Sequence, residues 1–301
     1  MPKTGTRFSE DSIVGLVREL SRVQLPLTPK RPAFIIGCAR SGTSVLKRVL
    51  GRQPGIAAFP GEANDWWHPN DYPWIEKRST LPPLWANPRS FTNGSLASWP
   101  KNHSARLKRM LRLYQLLQGQ PALIVKSSMI NYMLPTLAEL FPDAKFIHIV
   151  RDPRAVAFSY AIKEHKKMLS AESIFRQKDL WRSFDDMAMR MIEFWGETMS
   201  EIDAAVERLG LRSRHAYFEC HYESFCADPK EVIRRILIFL GQASDVVVLG
   251  KPVTNMNHKF KCSVSTQLLE RMEATLAEMH PPCASLNRSN SWGQRLEHYR
   301  K

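Results

Sequence analysis

Ile35-Ile36-Gly37-Cys38-Ala39-Arg40-Ser41-Gly42-Thr43-Ser44 is the stretch on which the reading of this chain turns. A β-rich run, Pro32 to Ile36, leads into a loop bounded by Gly37 and Gly42, and the loop feeds a helix-like segment, Val45 to Gly51. Strand, glycine loop and helix in that order make a phosphate cradle, in which backbone N–H groups and a helix N-terminus hold an anion. The interval from Gly37 to Gly42 is that of a Walker-type loop, but Thr43 stands where the Walker lysine belongs. The cation sits instead at Arg40. Such a loop suits a phosphate-like group, yet it lacks the lysine that reaches the β- and γ-phosphates of ATP or GTP.

A second motif lies about a hundred residues on. Lys145-Phe146-Ile147-His148-Ile149-Val150 reads as a buried strand that runs into Arg151-Asp152-Pro153-Arg154-Ala155-Val156-Ala157-Phe158-Ser159-Tyr160. Asp152 can cap a new helix and Pro153 suits its first turn. Arg151 at the strand end and Ser159 further along the helix can both reach one anion at the C-terminal edge of a sheet. A third element, Tyr222-Glu223 followed by Pro229 and a helix from Glu231 to Gly241, comes after another strand at 215–219.

The pair of motifs, with the Tyr-Glu…Pro element behind them, resembles the nucleotide-binding signature of sulfotransferases that use 3′-phosphoadenosine 5′-phosphosulfate (PAPS). The likeness spans roughly residues 31 to 241. It implies that the loop Ser41, Gly42, Thr43 and Ser44 holds the 5′-phosphosulfate, with Arg40 on the bridging oxygen and the 5′-phosphate. It implies that Arg151 and Ser159 hold the 3′-phosphate and that Tyr222 packs near the nucleotide. The product is then adenosine 3′,5′-bisphosphate, and the family needs no metal. By a partial likeness to tyrosylprotein sulfotransferases, Lys126 at the end of another strand adds positive charge near the transferring group. The segment Gln53 to Glu62 resembles the stretch of those enzymes that ends in a catalytic glutamate, so Glu62 is the expected base for the acceptor hydroxyl. The ordinary alternatives remain: Glu62 as partner of a nearby arginine, Lys126 as an exposed strand-end lysine, Tyr222 as core. His68 and His103 are reserve bases.

Composition sets wider bounds. The chain has 301 residues, 44% hydrophobic and 24% charged, which is ordinary for a soluble globular protein, and a net charge of +14, which is not. That charge fits a polyanionic nucleotide, and also an acidic acceptor, a membrane surface or nucleic acid. No helix-turn-helix, zinc-finger or RNA-binding signature appears, so nucleic acid is not the expected partner. Five cysteines, at 38, 220, 226, 262 and 283, form no CxxC pair and point to free thiols in a reducing compartment. His215, Cys220, His221 and Cys226 cluster without any usual zinc spacing, so no metal ligand is expected. No secretory signal peptide and no apolar run long enough to span a membrane is visible. The expected setting is cytoplasmic, or that of a catalytic domain trimmed of a membrane anchor.

Strands alternating with helices imply an α/β fold: a P-loop-like, mainly parallel sheet with helices on both faces, as in sulfotransferases. The expected organisation is a single domain over 1–301, with a Pro/Trp-rich irregular insertion at about 60–100 and a C-terminal region at about 246–301 whose role the sequence leaves open. Helices are expected at 8–23, 102–118, 131–141, 153–167, 180–209 and 266–279, with a strand at 122–125. Trp66, Trp67, Tyr72 and Trp74 either stack on an acceptor or pin the insertion as a hydrophobic cluster. Two competing functions stay in view: a P-loop small-molecule or nucleotide kinase, and a basic nucleic-acid-binding protein. The acceptor is a small molecule, carbohydrate, lipid or peptidyl tyrosine. The oligomeric state is not legible.

Overall fold

A computed structural model describes residues 10–62, 64–69, 84–88, 96–169 and 183–279. Five strands form one sheet: β1 (Pro32–Ile36), β2 (Ile56–Ala58), β3 (Ala122–Lys126), β4 (Lys145–Val150) and β5 (Tyr217–His221), in the order β2-β3-β1-β4-β5. Every pairing is parallel, with Phe34 opposite Val125 on one side and Phe146 on the other. Parallel order aligns all five C-terminal ends along one edge, where the ligands of such sheets bind.

Alternation along β1 separates two cores. Phe34 and Ile36 pack with α1 (Glu10–Leu20), α4 (His103–Leu117), α5 (Leu134–Leu140), α6 (Pro153–Leu169), α7 (Phe184–Arg208) and α11 (Thr266–Glu278) through Val17, Leu107, Leu137, Val156, Trp195 and Met272. Ala33 and Ile35 pack with α2 (Thr43–Leu50), α8 (Tyr222–Ala227) and α9 (Pro229–Leu240) through Leu46, Phe225 and Ile236. The sheet is therefore covered on both faces, which is why its strands read as near-continuous apolar runs. Local signals agree. Asp228 caps α9 by accepting from Glu231 N–H, Pro229 opens that helix, and Gly241 closes it at φ 66°. Among the described residues no helix is long and apolar enough to cross a membrane.

Several expectations need correction. The short edge strand β2 is not among the expected strands. β5 runs two residues later than expected, so that Tyr222 opens α8 directly at its end. The helix expected over 131–141 is a 3₁₀ turn, Met129–Tyr132, followed by α5. Pro135 in the first turn of α5 cannot accommodate a helical carbonyl from residue 131, so one continuous helix is excluded. Within the insertion, α3 (Asn64–Trp67) carries Trp66 and Trp67, both buried, and Trp67 packs edge-on against Phe34 of β1. Those two tryptophans belong to the core rather than to a stacking surface. Tyr72, Trp74 and residues 280–301 lie outside the described residues. The segment after α9 runs without regular structure to the short α10 (His258–Lys261).

Candidate functional site

The turn from β1 to α2 is built on two backbone specialties. Gly37 has φ 140° and faces the Ile149 carbonyl so closely that any Cβ would collide with it. Gly42 has φ 94°, and a Cβ there would lie 2.6 Å from a ring carbon of Tyr222. Between them Arg40 adopts φ 75°, a conformation that costs a non-glycine residue on the order of 1–3 kcal/mol. Asn131 clamps the start of the loop: its side chain accepts from Gly37 N–H at 3.0 Å and donates to Gly37 O at 2.9 Å. Gly42 is the N-cap residue of α2 and no side chain caps this end, so the helix presents its first N–H groups outward.

A cavity of about 500 Å³ opens over this turn at the C-terminal edge of the sheet. Arg40, Gly42, Thr43, Ser44, Glu62, Lys126, Arg151, Ser159 and Tyr222 line it, together with Ser128, Phe158, Tyr160, Lys163, Met256, Lys259 and Phe260. Residues at or just beyond the ends of all five strands, and residues of α6, thus converge. Ser41 is the exception among the expected site residues. It is fully buried, and its N–H donates to Cys38 O at 3.1 Å. The turn uses that donor, so the outward-facing N–H groups start beyond Ser41, and its hydroxyl is buried without a hydrogen-bond partner among the described residues.

The two arginines are tied to each other's surroundings. Arg40 Nε donates to Ser159 Oγ at 3.0 Å, and Arg151 Nη1 donates to Arg40 O at 2.8 Å. The Arg151 guanidinium lies 4.3 Å over the Tyr222 ring. Burial pulls Arg151 below the usual arginine value, opposed by Tyr222, Glu223 and Asp152, and it stays a cation. Asp152 does cap α6, accepting from Arg154 N–H at 2.9 Å.

Glu62 and Lys126 meet as an ion pair at the far side of the cavity. The Glu62 partner is therefore a lysine from the end of β3, not an arginine. Its loop is held from three directions. Lys47 Nζ donates to Phe59 O at 2.8 Å and Gly61 O at 3.0 Å, Trp67 Nε1 donates to Glu62 O at 2.9 Å, and Ser127 Oγ donates to Asn64 Oδ1 at 2.8 Å. The reserve histidines do not join the cavity lining. His68 is buried and its burial lowers it to about 4; His103 is lowered by burial too, and its Nε2 meets Trp66 O at 2.8 Å.

Among the described residues that line the cavity, Arg40, Lys126, Arg151, Lys163 and Lys259 stand against one carboxylate, that of Glu62, itself already paired. That field selects a polyanion. Among the described residues no group of three or more His, Cys, Asp or Glu side chains could hold a metal ion, and His215, Cys220, His221 and Cys226 form none. Lys163 was missed although it follows Ser159 by one helical turn, a spacing that puts both on one face. Asn131 carries no local signal at all.

A family model described as "Sulfotransferase family" matches residues 32–245. The chain belongs to the sulfotransferase family. Curated relatives share one region with this sulfotransferase: the omega-hydroxy-beta-dihydromenaquinone-9 sulfotransferases Stf3 of Mycobacterium bovis and Mycobacterium tuberculosis are 29% identical over 118 residues, 39% of this chain. The match spans 28% of the length of those relatives. Among solved structures, a sulfotransferase from Alicyclobacillus acidocaldarius superposes with a TM-score of 0.55 at 20% identity, covering 84% of this chain and 93% of that one. Sulfotransferase STF1 from Mycobacterium tuberculosis H37Rv gives a TM-score of 0.51 at 15% identity, covering 88% and 82%. At such identities the likeness speaks for the sulfotransferase fold.

Proposed function

We propose that this sulfotransferase-family chain transfers a sulfuryl group from PAPS to an acceptor hydroxyl by in-line displacement. The observation that carries the reading is the turn Gly42-Thr43-Ser44: an uncapped helix N-terminus, free of any Cβ at Gly42, with Arg40 and Arg151 beside it. Lys47, the lysine of α2, donates to the carbonyls of Phe59 and Gly61, and Thr43 stands at the position of the Walker lysine, which speaks against the kinase reading.

The donor fits these residues. Thr43 and Ser44 supply N–H and hydroxyl donors for its phosphosulfate, and Arg40 lies where charge grows on the leaving oxygen. Arg151 and Ser159 take the 3′-phosphate, and Tyr222 forms the wall behind both. When bound, PAPS supplies an activated sulfuryl group. Glu62 takes the acceptor proton, and Lys126 keeps that carboxylate in place and adds positive charge beside the transferring group. With five cations at the cavity, charge stabilisation comes from side chains.

The acceptor is a hydroxyl compound. The mycobacterial relatives are omega-hydroxy-beta-dihydromenaquinone-9 sulfotransferases, which makes an ω-hydroxylated menaquinone one compound to include. The test is formation of adenosine 3′,5′-bisphosphate from PAPS in EDTA, with phenols, amino sugars, tyrosyl peptides and hydroxylated lipids offered in turn. Bisphosphate release matched by a sulfated acceptor supports the reading. Phosphoryl transfer from Mg²⁺–ATP, with PAPS untouched, overturns it.

A further inference from the structure

Arg151 is held by a residue from outside both nucleotide-binding motifs. Its Nε donates at 2.8 Å to Asn257 Oδ1, across 106 residues of sequence. Asn257 is buried, and its Nδ2 donates in turn to Glu223 Oε1 at 2.7 Å. The same Glu223 oxygen accepts from Asp152 N–H at 3.1 Å. A closed chain results: backbone of Asp152, carboxylate of Glu223, amide of Asn257, guanidinium of Arg151, carbonyl of Arg40. The Asn257 amide has one workable orientation, because flipping it would set an N–H against the Arg151 N–H and an oxygen against the carboxylate.

Tyr222 brings Asn257 to this place. Its hydroxyl donates to Thr254 O at 3.0 Å and accepts from Met256 N–H at 3.2 Å, while its ring carries the Arg151 guanidinium. The Tyr-Glu pair after β5 thus fastens the segment 254–257 and aims it at one side chain. Two points of hydrogen bonding and one stacked face leave Arg151 little rotational freedom. Its Nη2 edge has no hydrogen-bond partner among the described residues, and Arg151 lines the cavity.

We propose that Asn257 is the positioning residue for Arg151, with Glu223 as its anchor, and that it thereby sets the preference for a 3′-phosphorylated nucleotide. The inference rests on the donor reading above. Asn257 is not among the residues that line the cavity. Without its amide, Arg151 Nε loses its acceptor in a buried place and the fork turns to find another.

The test is calorimetric titration of the full chain with adenosine 3′,5′-bisphosphate and with adenosine 5′-phosphate, on wild type, Asn257→Ala and Glu223→Gln. Asn257→Ala should weaken the bisphosphate about tenfold or more and the monophosphate by less than about threefold. Glu223→Gln keeps an oxygen for both donors and replaces Oε2, which is buried without a hydrogen-bond partner among the described residues, so selectivity should stay within about threefold of wild type. Equal loss for both nucleotides in Asn257→Ala marks a merely structural role and overturns the proposal, as does no loss. Collapse of selectivity in Glu223→Gln overturns the hydrogen-bond chain. Should the alanine variant fail to fold, Asn257→Ser carries the same expectations. A wild type without preference for the bisphosphate overturns the donor reading with the inference; a wild-type preference that survives in Asn257→Ala overturns the inference alone.

Discussion

Arg151 reaches back from the end of β4 to the backbone of Arg40, donating from Nη1 to its carbonyl at 2.8 Å, and Arg40 is the residue of the β1–α2 turn held at φ 75°. The side chain assigned to the 3′-phosphate therefore also fixes the turn assigned to the 5′-phosphosulfate. Replacing Arg151 by alanine removes a charge-assisted contact to one phosphate and loosens the loop under the other. We expect roughly a hundredfold loss of affinity for adenosine 3′,5′-bisphosphate and a smaller loss, about three- to tenfold, for adenosine 5′-phosphate. Titration of both nucleotides onto Arg151→Ala measures the two losses, and equal ones would remove Arg151 from the 3′-phosphate.

Gly42 and Tyr222 form a steric pair. Gly42→Ala places a methyl group 2.6 Å from the tyrosine ring in a backbone conformation at φ 94°. The variant should lose more than about 1 kcal/mol of stability and most of its nucleotide affinity. Combining it with Tyr222→Ala relieves the clash but not the backbone strain, so a double-mutant cycle by chemical denaturation should show coupling with partial recovery. Strict additivity would mean that the two residues do not meet.

Glu62→Gln keeps the shape of the loop and removes the proton acceptor. Turnover should fall by roughly 10²–10⁴ while affinity for the bisphosphate changes by less than about threefold. Near wild-type turnover would assign the base elsewhere. Lys126→Ala breaks the same ion pair, so its effect and that of Glu62→Gln should fall short of additive when combined.

His68 makes stability depend on pH. Burial lowers its pKa in the folded chain from 6.5 to about 4, whereas the unfolded chain binds the proton at the ordinary value. The unfolded state thus takes up the proton first as pH falls. The contribution is full above pH 7 and is lost progressively as pH drops below 6.5 toward 4. Between pH 7 and 5 this one group should cost about 2 kcal/mol, and His103, lowered in the same direction, adds to it. Urea denaturation at the two pH values checks the slope. His68→Asn should flatten it, and an unchanged slope would place the titration on other groups.

The turn at Gly37–Ser44 and the strand-helix junction at Arg151 were legible because a phosphate cradle needs glycine at fixed intervals and a helix start just behind them. β2 was not, because Ile56-Ala57-Ala58 is three residues long and flanked by turns; its pairing with Ala122, Leu123 and Ile124 makes it a strand. Trp66 and Trp67 left two readings open for a different reason, and their burial decides for the hydrophobic cluster. Tryptophan serves equally as a stacking surface and as core, and the contact of Trp67 with Phe34 comes from tertiary structure alone. Asn131 and Asn257 are single polar residues whose partners lie 94 and 106 positions away, so no local pattern marks them.

The most direct measurement is a thermal-shift titration with adenosine 3′,5′-bisphosphate, adenosine 5′-phosphate and ATP, each with and without Mg²⁺. At a hundred times Kd the bisphosphate should add about 2.7 kcal/mol, a rise on the order of 5 °C or more, independent of Mg²⁺ and well above that of the monophosphate. A rise only with Mg²⁺–ATP, or none with any of the three, would contradict the donor site described for this chain.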